Sequence, residues 1–184
     1  MALPARMLLL VLALFVGVRA DAWAQDRAAL EAGVKATFLY RFAAFVEWPA
    51  AAFASPDAPV VVCIAGDAGF AALVERAASG ERTGGRALSV RALPAAAESA
   101  DCNVLYVAGA PDQSIAQALN AVRGRPMLTV TDEARGRLRG MIHFVVHDGR
   151  VRFHIDRRAA EEAGLSLNSR LLSIALSVRG AGGA

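Results

Sequence analysis

The sequence predicts a single-domain α/β fold, with a mostly parallel, twisted sheet that carries helices on both faces and ends in a C-terminal antiparallel hairpin. Apolar runs of strand length alternate with helical patterns along the chain, which is typical of parallel βαβ units. Near the end, two further apolar runs flank Asp148-Gly149, a dipeptide that favours a two-residue hairpin turn. The pattern contains neither an internal repeat nor a linker, so residues 25–179 are predicted to form one domain.

The predicted elements begin with an aromatic helix. Phe38, Phe42 and Phe45 recur at helical spacing, and Pro49 disfavours helical conformation at the residue before it. The first strand is a continuous apolar run rich in β-branched residues, as expected for a strand buried on both faces. In chain order the prediction is a helix over 27–48, a strand over 60–65, a helix over 68–78, strands over 87–93 and 103–107, a helix over 114–122, a strand over 127–130, hairpin strands over 141–147 and 150–155, and helices over 156–163 and 168–179.

The hairpin register can be predicted residue by residue. A two-residue turn at Asp148-Gly149 places opposite each other those residues whose numbers sum to 297. Phe144 then faces Phe153 on an apolar side, and His143 faces His154 on a mostly polar side. Since a slip of one residue would exchange the two faces, this register is well specified.

Residues 1–24 have the features of a secretory signal peptide. Arg6 precedes an almost unbroken apolar run over 7–18, and Ala22-Trp23-Ala24 gives the small-x-small pattern that precedes a cleavage site. A span of the bilayer needs roughly 20 apolar residues, which is longer than this run. We therefore expect cleavage after residue 24 and a periplasmic protein that is not membrane-embedded, with an uncleaved anchor as the alternative. The glycine-rich segment 180–184 is expected to be a flexible tail.

The charge and the cysteine count limit the classes of function. The net charge is +3, and the basic residues are scattered, whereas a nucleic-acid-binding protein concentrates them in a patch or stripe. We therefore expect no nucleic-acid partner. The chain has two cysteines, Cys63 and Cys102, and in an oxidising compartment two such residues more often pair than stay free. Two buried thiols are the alternative.

Motifs for catalysis or cofactor binding are weak. The turn Gly66-Asp67-Ala68-Gly69 has two of the three glycines that a dinucleotide site requires, and Asp67 would place a negative charge beside the phosphate. A plain turn between strand and helix explains it better. No Gly-x-Ser-x-Gly motif occurs, so we predict no catalytic residues, no cofactor and no enzymatic activity.

One group of side chains could bind a metal ion. The hairpin register places His143 opposite His154, and Asp156 lies diagonally from His143 on the same face. Two imidazoles and a carboxylate are a plausible zinc ligand set. An ordinary solvated sheet face also carries such pairs, and we predict no metal.

Eight segments in order resemble the YfiR-like family of periplasmic regulators. They are VKATFLYRF (34–42), FVEWP (45–49), VCIAG (62–66), CNVLYV (102–107), LTVTD (128–132), GMI (140–142), VRFHID (151–156) and LSLNSRLL (165–172). The resemblance covers nearly the whole chain after residue 24. It departs at Asp156, where the family has Asn, at Asn168, where the family has Ser, and in having a single cysteine pair, which puts in doubt any redox switching that needs a second bridge.

The resemblance implies a repressor of an inner-membrane diguanylate cyclase. Such a protein binds the periplasmic sensor region of the cyclase and lowers cyclic di-GMP and biofilm formation. The resemblance also implies a homodimer and places Cys63 and Cys102 where the family has a structural disulfide. The partner-binding candidates are Tyr40, Arg41, Trp48 and Arg170, on the Trp48 edge and the last helix. The alternative function is a periplasmic sensor of a small ligand or a metal.

Overall fold

The computed structural model describes residues 25–99 and 101–180 of the chain. The predicted signal peptide falls on residues 1–24, outside the described residues, as do residue 100 and the tail beyond residue 180. The described chain forms an eight-stranded, mostly parallel sheet with a small two-stranded antiparallel sheet beside it. The α/β class with its C-terminal hairpin is therefore confirmed.

Most elements lie where the sequence predicts them. The helices are α1 (25–42), α2 (Ala68–Ala78), α3 (Ile115–Ala121), α4 (Arg157–Glu162) and α5 (Ser169–Ile174). The strands are β1 (Val46–Glu47), β2 (Val60–Ala65), β3 (Arg82–Thr83), β4 (Arg86–Leu93), β5 (Val104–Val107), β6 (Leu128–Asp132), β7 (Ile142–His147), β8 (Arg150–Asp156), β9 (Ser166–Leu167) and β10 (Ser177–Arg179). Short 3₁₀ helices cover Ala43–Phe45, Ala50–Ala52, Ala96–Glu98 and Glu133–Arg135.

The strand order of the large sheet is β10-β8-β7-β6-β5-β2-β4-β3. The pairs from β4 through β2, β5 and β6 to β7 are parallel, and β7 and β8 form the antiparallel hairpin. The hairpin register is the predicted one, from Ile142 opposite Ile155 to His147 opposite Arg150. Strand β2 thus lies inside the sheet with β5 and β4 as its neighbours.

Helices cover both faces of the sheet, because alternate residues of each strand point to opposite sides. Val62 and Ile64 of β2 belong to a core that also contains buried residues of α1, α2, α4 and α5. Cys63 and Ala65 belong to a second core, against α3 and the 3₁₀ turn Ala96–Glu98. Both faces of β2 are therefore apolar, which explains its unbroken hydrophobic sequence.

Aromatic side chains fix α1 against the hairpin. Phe42 lies with its ring centroid 5.0 Å from that of Phe153 and 5.6 Å from that of Phe144. Phe38, one turn earlier, contacts Phe153 with a centroid distance of 5.6 Å. Such pairs contribute about 0.5–1.5 kcal/mol each beyond the area that they bury. The sequence repeat of phenylalanines therefore marks the core face of α1.

A buried ion pair also joins α1 to the sheet. The Nζ atom of Lys35 lies 2.7 Å from Oδ2 of Asp132, at the end of β6, and 2.6 Å from Oε1 of Glu31. The other oxygen of Asp132 accepts a hydrogen bond of 3.0 Å from the backbone N–H of Ala134. Lys35 and Asp132 are 4% and 3% exposed, so each charge depends on the other for compensation.

The two cysteines lie on neighbouring strands. Cys63 in β2 forms a disulfide with Cys102, which lies two residues before the start of β5. The Cα atoms of the two cysteines are 5.9 Å apart. The Asn103 side chain reinforces this edge, since its Oδ1 accepts a hydrogen bond of 2.8 Å from Val61 N and its amide donates to Ala52 O. The bridge closes a separation of 39 residues across the second core.

The first helix is shorter than the predicted 27–48. It ends at residue 42, a 3₁₀ turn follows, and Val46–Glu47 forms β1, which pairs with β9. The backbone carbonyl of Phe45 accepts a hydrogen bond of 2.9 Å from Asn168 N, so a tertiary strand pairing replaces helical bonds here. Pro49 favours extended backbone in the residue before it, in agreement with this change.

The last helix is also shorter than the predicted 168–179. It ends at Ile174, and Ser177–Arg179 forms β10, parallel to β8. The backbone N–H of Leu176 donates a hydrogen bond of 2.8 Å to Phe153 O. The edge of β8 supplies the backbone hydrogen-bond partners for residues 177–179. The helical spacing of apolar residues in this segment contains no information about that distant strand, so the sequence predicted a longer helix.

Within the described ranges 25–99 and 101–180, no helix is both long enough and apolar enough to cross a membrane.

We expect the disulfide to carry a large share of the stability. In the chain-entropy model, closing a separation of 39 residues stabilises a fold by about 4 kcal/mol. The Cys63→Ala/Cys102→Ala variant should therefore lose about 3–4 kcal/mol of unfolding free energy in guanidinium titration. An equal unfolding midpoint with and without reductant in the wild-type protein would contradict this expectation.

The Lys35–Asp132 pair should behave as a coupled unit. Lys35→Met leaves a buried carboxylate without its cation, which costs about 3–5 kcal/mol. The double variant Lys35→Met/Asp132→Asn removes both charges and should lose less stability than the sum of the two single changes. Guanidinium unfolding of the four proteins measures the coupling, and additive losses would show that the two charges do not stabilise each other.

Candidate functional site

A crevice of ≈ 510 Å³ opens at the carboxyl ends of the parallel strands. Its walls come from α1 and the beginning of α2, and its floor includes Tyr106 of β5 and Asp132 of β6. In open α/β sheets, ligands bind outside the carboxyl ends of the strands. The crevice is therefore the position where the fold favours a small-molecule site.

The floor of the crevice is a hydrogen-bonded network centred on Asp132. Its Oδ2 atom accepts from Lys35 Nζ at 2.7 Å and from the Tyr106 hydroxyl at 3.4 Å. Burial raises the pKa of Tyr106 well above its ordinary value, and the charge of Asp132 raises it further. The phenol therefore stays protonated and acts as a donor. The Phe70 ring lies over it with a centroid distance of 4.8 Å.

The turn between β2 and α2 forms the rim of the crevice. Asp67 caps α2, since its Oδ1 accepts a hydrogen bond of 2.8 Å from Phe70 N, and its Oδ2 pairs with Arg135. Gly66 has φ +86°, and a Cβ atom there would lie 2.0 Å from Gly109 O. The absence of a side chain at Gly66 thus allows the loops that contain Gly66 and Gly109 to approach closely. Both carboxylate oxygens of Asp67 have partners, one in α2 and one in Arg135. These contacts match the plain-turn interpretation of this motif.

The crevice is lined by paired charged groups and apolar side chains. Its described lining residues include the charged groups Glu31, Lys35, Asp67, Asp132 and Arg135, but no serine, cysteine or histidine. The two cations are each paired with a carboxylate. Such a set can orient a small polar molecule by charge and hydrogen bonds, while the apolar ring of Phe70 supplies a packing surface.

A second candidate region is a surface near the two-stranded sheet. Strand β1 pairs with β9, with Val46 opposite Leu167 and Glu47 opposite Ser166. In this antiparallel register Phe45 lies beside Asn168, directly before α5, and the chain beyond Glu47 runs in the opposite direction, toward residue 165. We use the name contact surface for the predicted partner-binding region on the two segments that this pairing joins, with Glu47 and Trp48 on one segment and Arg170 and the exposed side of α5 on the other.

The predicted partner-binding residues differ in exposure. Arg170 and Arg41 are exposed, and Trp48 is half-buried with its ring 6.4 Å from that of Phe53. The indole N–H of Trp48 is buried and has no hydrogen-bond partner among the described residues. Tyr40 is 5% exposed and belongs to the core, so it offers a partner little surface, although its hydroxyl accepts a hydrogen bond of 3.3 Å from Arg41 Nε.

The candidate metal ligands each bind a different protein group. His143 Nδ1 lies 2.8 Å from Thr131 Oγ1, His154 Nδ1 lies 2.6 Å from Ser177 Oγ, and Asp156 caps α4 while pairing with Arg179. Burial lowers the pKa of both histidines, and the nearby positive charge of Arg139 lowers it further. Among the described residues, no group of three or more His, Cys, Asp or Glu side chains could hold a metal ion.

Sequence reasoning missed the Lys35–Asp132–Tyr106 network. A signal was present, because Lys35 is the single lysine of the chain and lies on the core face of α1, between apolar residues at helical spacing. A lysine at such a position needs a buried partner. The partner could not be identified from the sequence, since the pairing depends on how α1 crosses the end of β6.

Among solved structures, an ABC domain from Streptococcus pneumonia in complex with L-Trp has 13% sequence identity and a TM-score of 0.42. The alignment covers 65% of this chain and 56% of that one, so the chain spans little more than half the length of that structure. At this level the likeness supports no conclusion about function. No curated protein matches the sequence significantly.

A family model gives a clear result. The model described as YfiR/HmsC-like matches residues 32–176, which extend from within α1 to beyond the end of α5. The match agrees with the eight segments that resemble this family in sequence. The chain belongs to the YfiR/HmsC-like family.

Proposed function

We propose that this protein is a periplasmic regulator that represses an inner-membrane diguanylate cyclase by binding the periplasmic sensor region of that enzyme. Repression lowers cyclic di-GMP and biofilm formation. The observation that carries the proposal is the family match over residues 32–176. Because the match extends over nearly the whole described fold, it concerns the domain itself and not a shared fragment.

Export to the periplasm is part of the proposal. We assign residues 1–24 as a cleaved signal peptide from their sequence, with the mature chain beginning at residue 25. The disulfide between Cys63 and Cys102 supports this assignment, since such bridges persist in oxidising compartments and are rare in the cytosol.

The contact surface is the proposed binding region for the cyclase. It contains the half-buried aromatic side chain of Trp48 and the exposed charges of Glu47 and Arg170. Interfaces concentrate binding energy in buried Trp, Tyr and Arg side chains enclosed by a polar rim. Both elements of the surface are fixed by the β1–β9 pairing, so a partner meets a preformed surface.

Regulation without catalysis agrees with the chemistry of the two candidate regions. The described lining of the crevice contains no serine, cysteine or histidine, its lysine is paired with carboxylates, and the contact surface consists of an indole and charged side chains. A repressor of this kind acts through shape and contact and needs no reactive group. We therefore propose no enzymatic activity and no cofactor.

The crevice favours one alternative function, a sensor for a small periplasmic ligand. The supporting observation is the buried Lys35–Asp132 pair with the Tyr106 hydroxyl at the carboxyl ends of the strands. The two functions differ in their consequence for the cell. A ligand sensor without a cyclase partner leaves cyclic di-GMP unchanged when its gene is removed.

Deletion of the gene should raise cellular cyclic di-GMP and increase biofilm mass, because the cyclase loses its repressor. Complementation with the full chain should restore both values. A matched control chain that lacks residues 1–24 should fail to restore them, since it stays in the cytoplasm. Mass spectrometry of extracted nucleotides gives the readout.

The absence of any rise in cyclic di-GMP after deletion would overturn the repressor proposal and favour the ligand sensor. Full complementation by the chain without residues 1–24 would overturn the assignment of the signal peptide.

A further inference from the structure

The face of the sheet on the side of the second core becomes polar toward the hairpin. Paired residues on neighbouring strands point to the same side of a sheet, so the register identifies the members of this face. Beyond the apolar pair of Cys63 and Leu105 they are Thr129, Thr131, His143, His154 and Asp156. The crossover 133–141, which joins β6 to β7, lies against this polar part, since Gly140 N donates a hydrogen bond of 2.8 Å to Thr131 Oγ1. The chain therefore places polar side chains on a face that is elsewhere an apolar core.

A pocket of ≈ 510 Å³ opens at one end of this polar part. It lies between the end of α3, the crossover and α4, and its lining includes Thr129 and Met141. Thr129 lies near the beginning of β6 and Met141 directly precedes β7, so the pocket is at the amino ends of these parallel strands. The crevice lies at the opposite, carboxyl ends, and the described linings of the two cavities share no residue.

Three arginines from distant parts of the described chain line this pocket. Arg123 lies two residues beyond α3, Arg139 lies in the crossover, and Arg179 is the last residue of β10. All three side chains are exposed, and we call the cavity that they line the arginine pocket. Cations that lie together repel one another, so such an arrangement needs anions to compensate it.

The two carboxylates that line the arginine pocket already have partners. The Oδ1 atom of Asp156 accepts a hydrogen bond of 3.1 Å from Ala159 N, and its Oδ2 accepts one of 3.0 Å from Arg179 Nε. Glu162 pairs with Arg158, which does not line the pocket, with a distance of 2.8 Å from Oε1 to Nε. These carboxylates therefore compensate one of the three arginines.

The other two arginines have no carboxylate partner among the described residues. Arg123 donates a hydrogen bond of 2.7 Å to the neutral Oδ1 atom of Asn120, and Arg139 forms neither a hydrogen bond nor an ion pair within residues 25–99 and 101–180. The charge of Arg139 also acts on the polar face. Burial lowers the pKa of His154 and Arg139 lowers it further, against a smaller opposing effect of Glu133. The pocket thus offers two positive charges to an anion.

We propose that the arginine pocket binds a phosphate group, supplied either by a small soluble phosphate ester or by a lipid headgroup. A guanidinium group presents its N–H donors in a planar fork that matches the oxygens of phosphate. Three such groups around one pocket suit a tetrahedral dianion better than a carboxylate, because a single guanidinium already satisfies both carboxylate oxygens. This binding goes beyond the proposed repression of a cyclase, does not depend on it, and uses no residue of the contact surface.

The exposure of the three arginines sets the expected strength of binding. Salt screens charges that are open to solvent, so the attraction should weaken as the ionic strength rises. For inorganic phosphate alone we expect a dissociation constant on the order of millimolar at low salt. A larger ligand gains further contacts from the apolar part of the pocket, which includes Leu119 and Val122.

Calorimetric titration of the full chain with inorganic phosphate tests the proposal. Arg139→Gln should weaken binding by about tenfold or more, because it removes a charge-assisted hydrogen bond. Arg139 is exposed and without a partner among the described residues, so this change should leave the fold intact. Arg150→Gln, at an exposed position in the hairpin outside the pocket, changes the net charge equally and should bind phosphate as the wild type does. Acetate should bind at least about tenfold more weakly than phosphate.

The pKa of His154, followed by nuclear magnetic resonance, gives a second readout at the site itself. Phosphate beside Arg139 should raise this pKa, because the anion offsets the positive charge that lowers it. Arg139→Gln should raise the pKa without phosphate and should abolish the further rise on addition of phosphate. A pKa of His154 that phosphate leaves unchanged in the wild-type protein would contradict the location of the site.

Two further probes distinguish the sources of the phosphate group. Glycerol 3-phosphate represents a soluble ester, and vesicles of phosphatidylglycerol represent a lipid headgroup, with phosphatidylcholine vesicles as the control. Binding of either probe that Arg139→Gln weakens and Arg150→Gln preserves supports the proposal and identifies the source.

Three results would overturn the phosphate site. They are the absence of saturable binding of phosphate and of both further probes, wild-type affinity in Arg139→Gln, and equal weakening by Arg139→Gln and Arg150→Gln, which would show attraction by net charge alone. Each readout uses the isolated protein, so none of these results bears on cyclase repression.

Discussion

The packing of α1 onto the sheet is the constraint on which the other features depend. Its phenylalanines interlock with Phe144 and Phe153 of the hairpin, and Lys35 reaches across the end of β6 to Asp132. These contacts fix both the position and the rotation of the helix. Because of its position, α1 forms one wall of the crevice. The segment after α1 continues into β1, which pairs with β9. The rotation leaves Leu30 and Val34 exposed to solvent. One helix thus forms a wall of the crevice, leads into the β1–β9 pairing and presents an exposed apolar face.

The sequence predicts the central part of the fold well, because the signals there are local. Strand β2 is a continuous apolar run, and the hairpin register follows from a two-residue turn and alternating burial. The prediction was wrong where a distant segment supplies the hydrogen bonds. Residues 46–47 and 177–179 leave their helical patterns because β9 and β8 offer backbone partners. Helical periodicity describes the side chains of such segments but contains no information about these partners.

The candidate sites show the same division between local and distant information. Trp48 and Arg170 were identifiable as residue types that bind partners, but the β1–β9 pairing that joins their two segments depends on backbone contacts between distant parts of the chain. The buried network of Lys35, Asp132 and Tyr106 joins three elements and was missed. Tyr40 shows a further limit, because a tyrosine near the helix end can be exposed or buried, and here the core encloses it and leaves a partner little surface.

The proposed function is that of a rigid binding module in an oxidising compartment. The disulfide joins two central strands of the sheet, and Trp48, in the proposed contact surface, packs against the first core. The crevice adds a place where a small ligand could shift the affinity for a partner, if it binds the two states of the protein differently. Each of these roles requires a fixed geometry and no reactive group.

Calorimetric titration of this protein with the purified periplasmic region of an inner-membrane diguanylate cyclase from the same cell tests the central claim most directly. The account predicts saturable binding that Arg170→Glu weakens by about tenfold, as expected for a charged residue in an interface. Arg123→Glu, two residues beyond the end of α3 on the opposite face of the sheet, should bind as the wild type does. No binding between the folded partners, or equal affinity for both variants, would contradict the account.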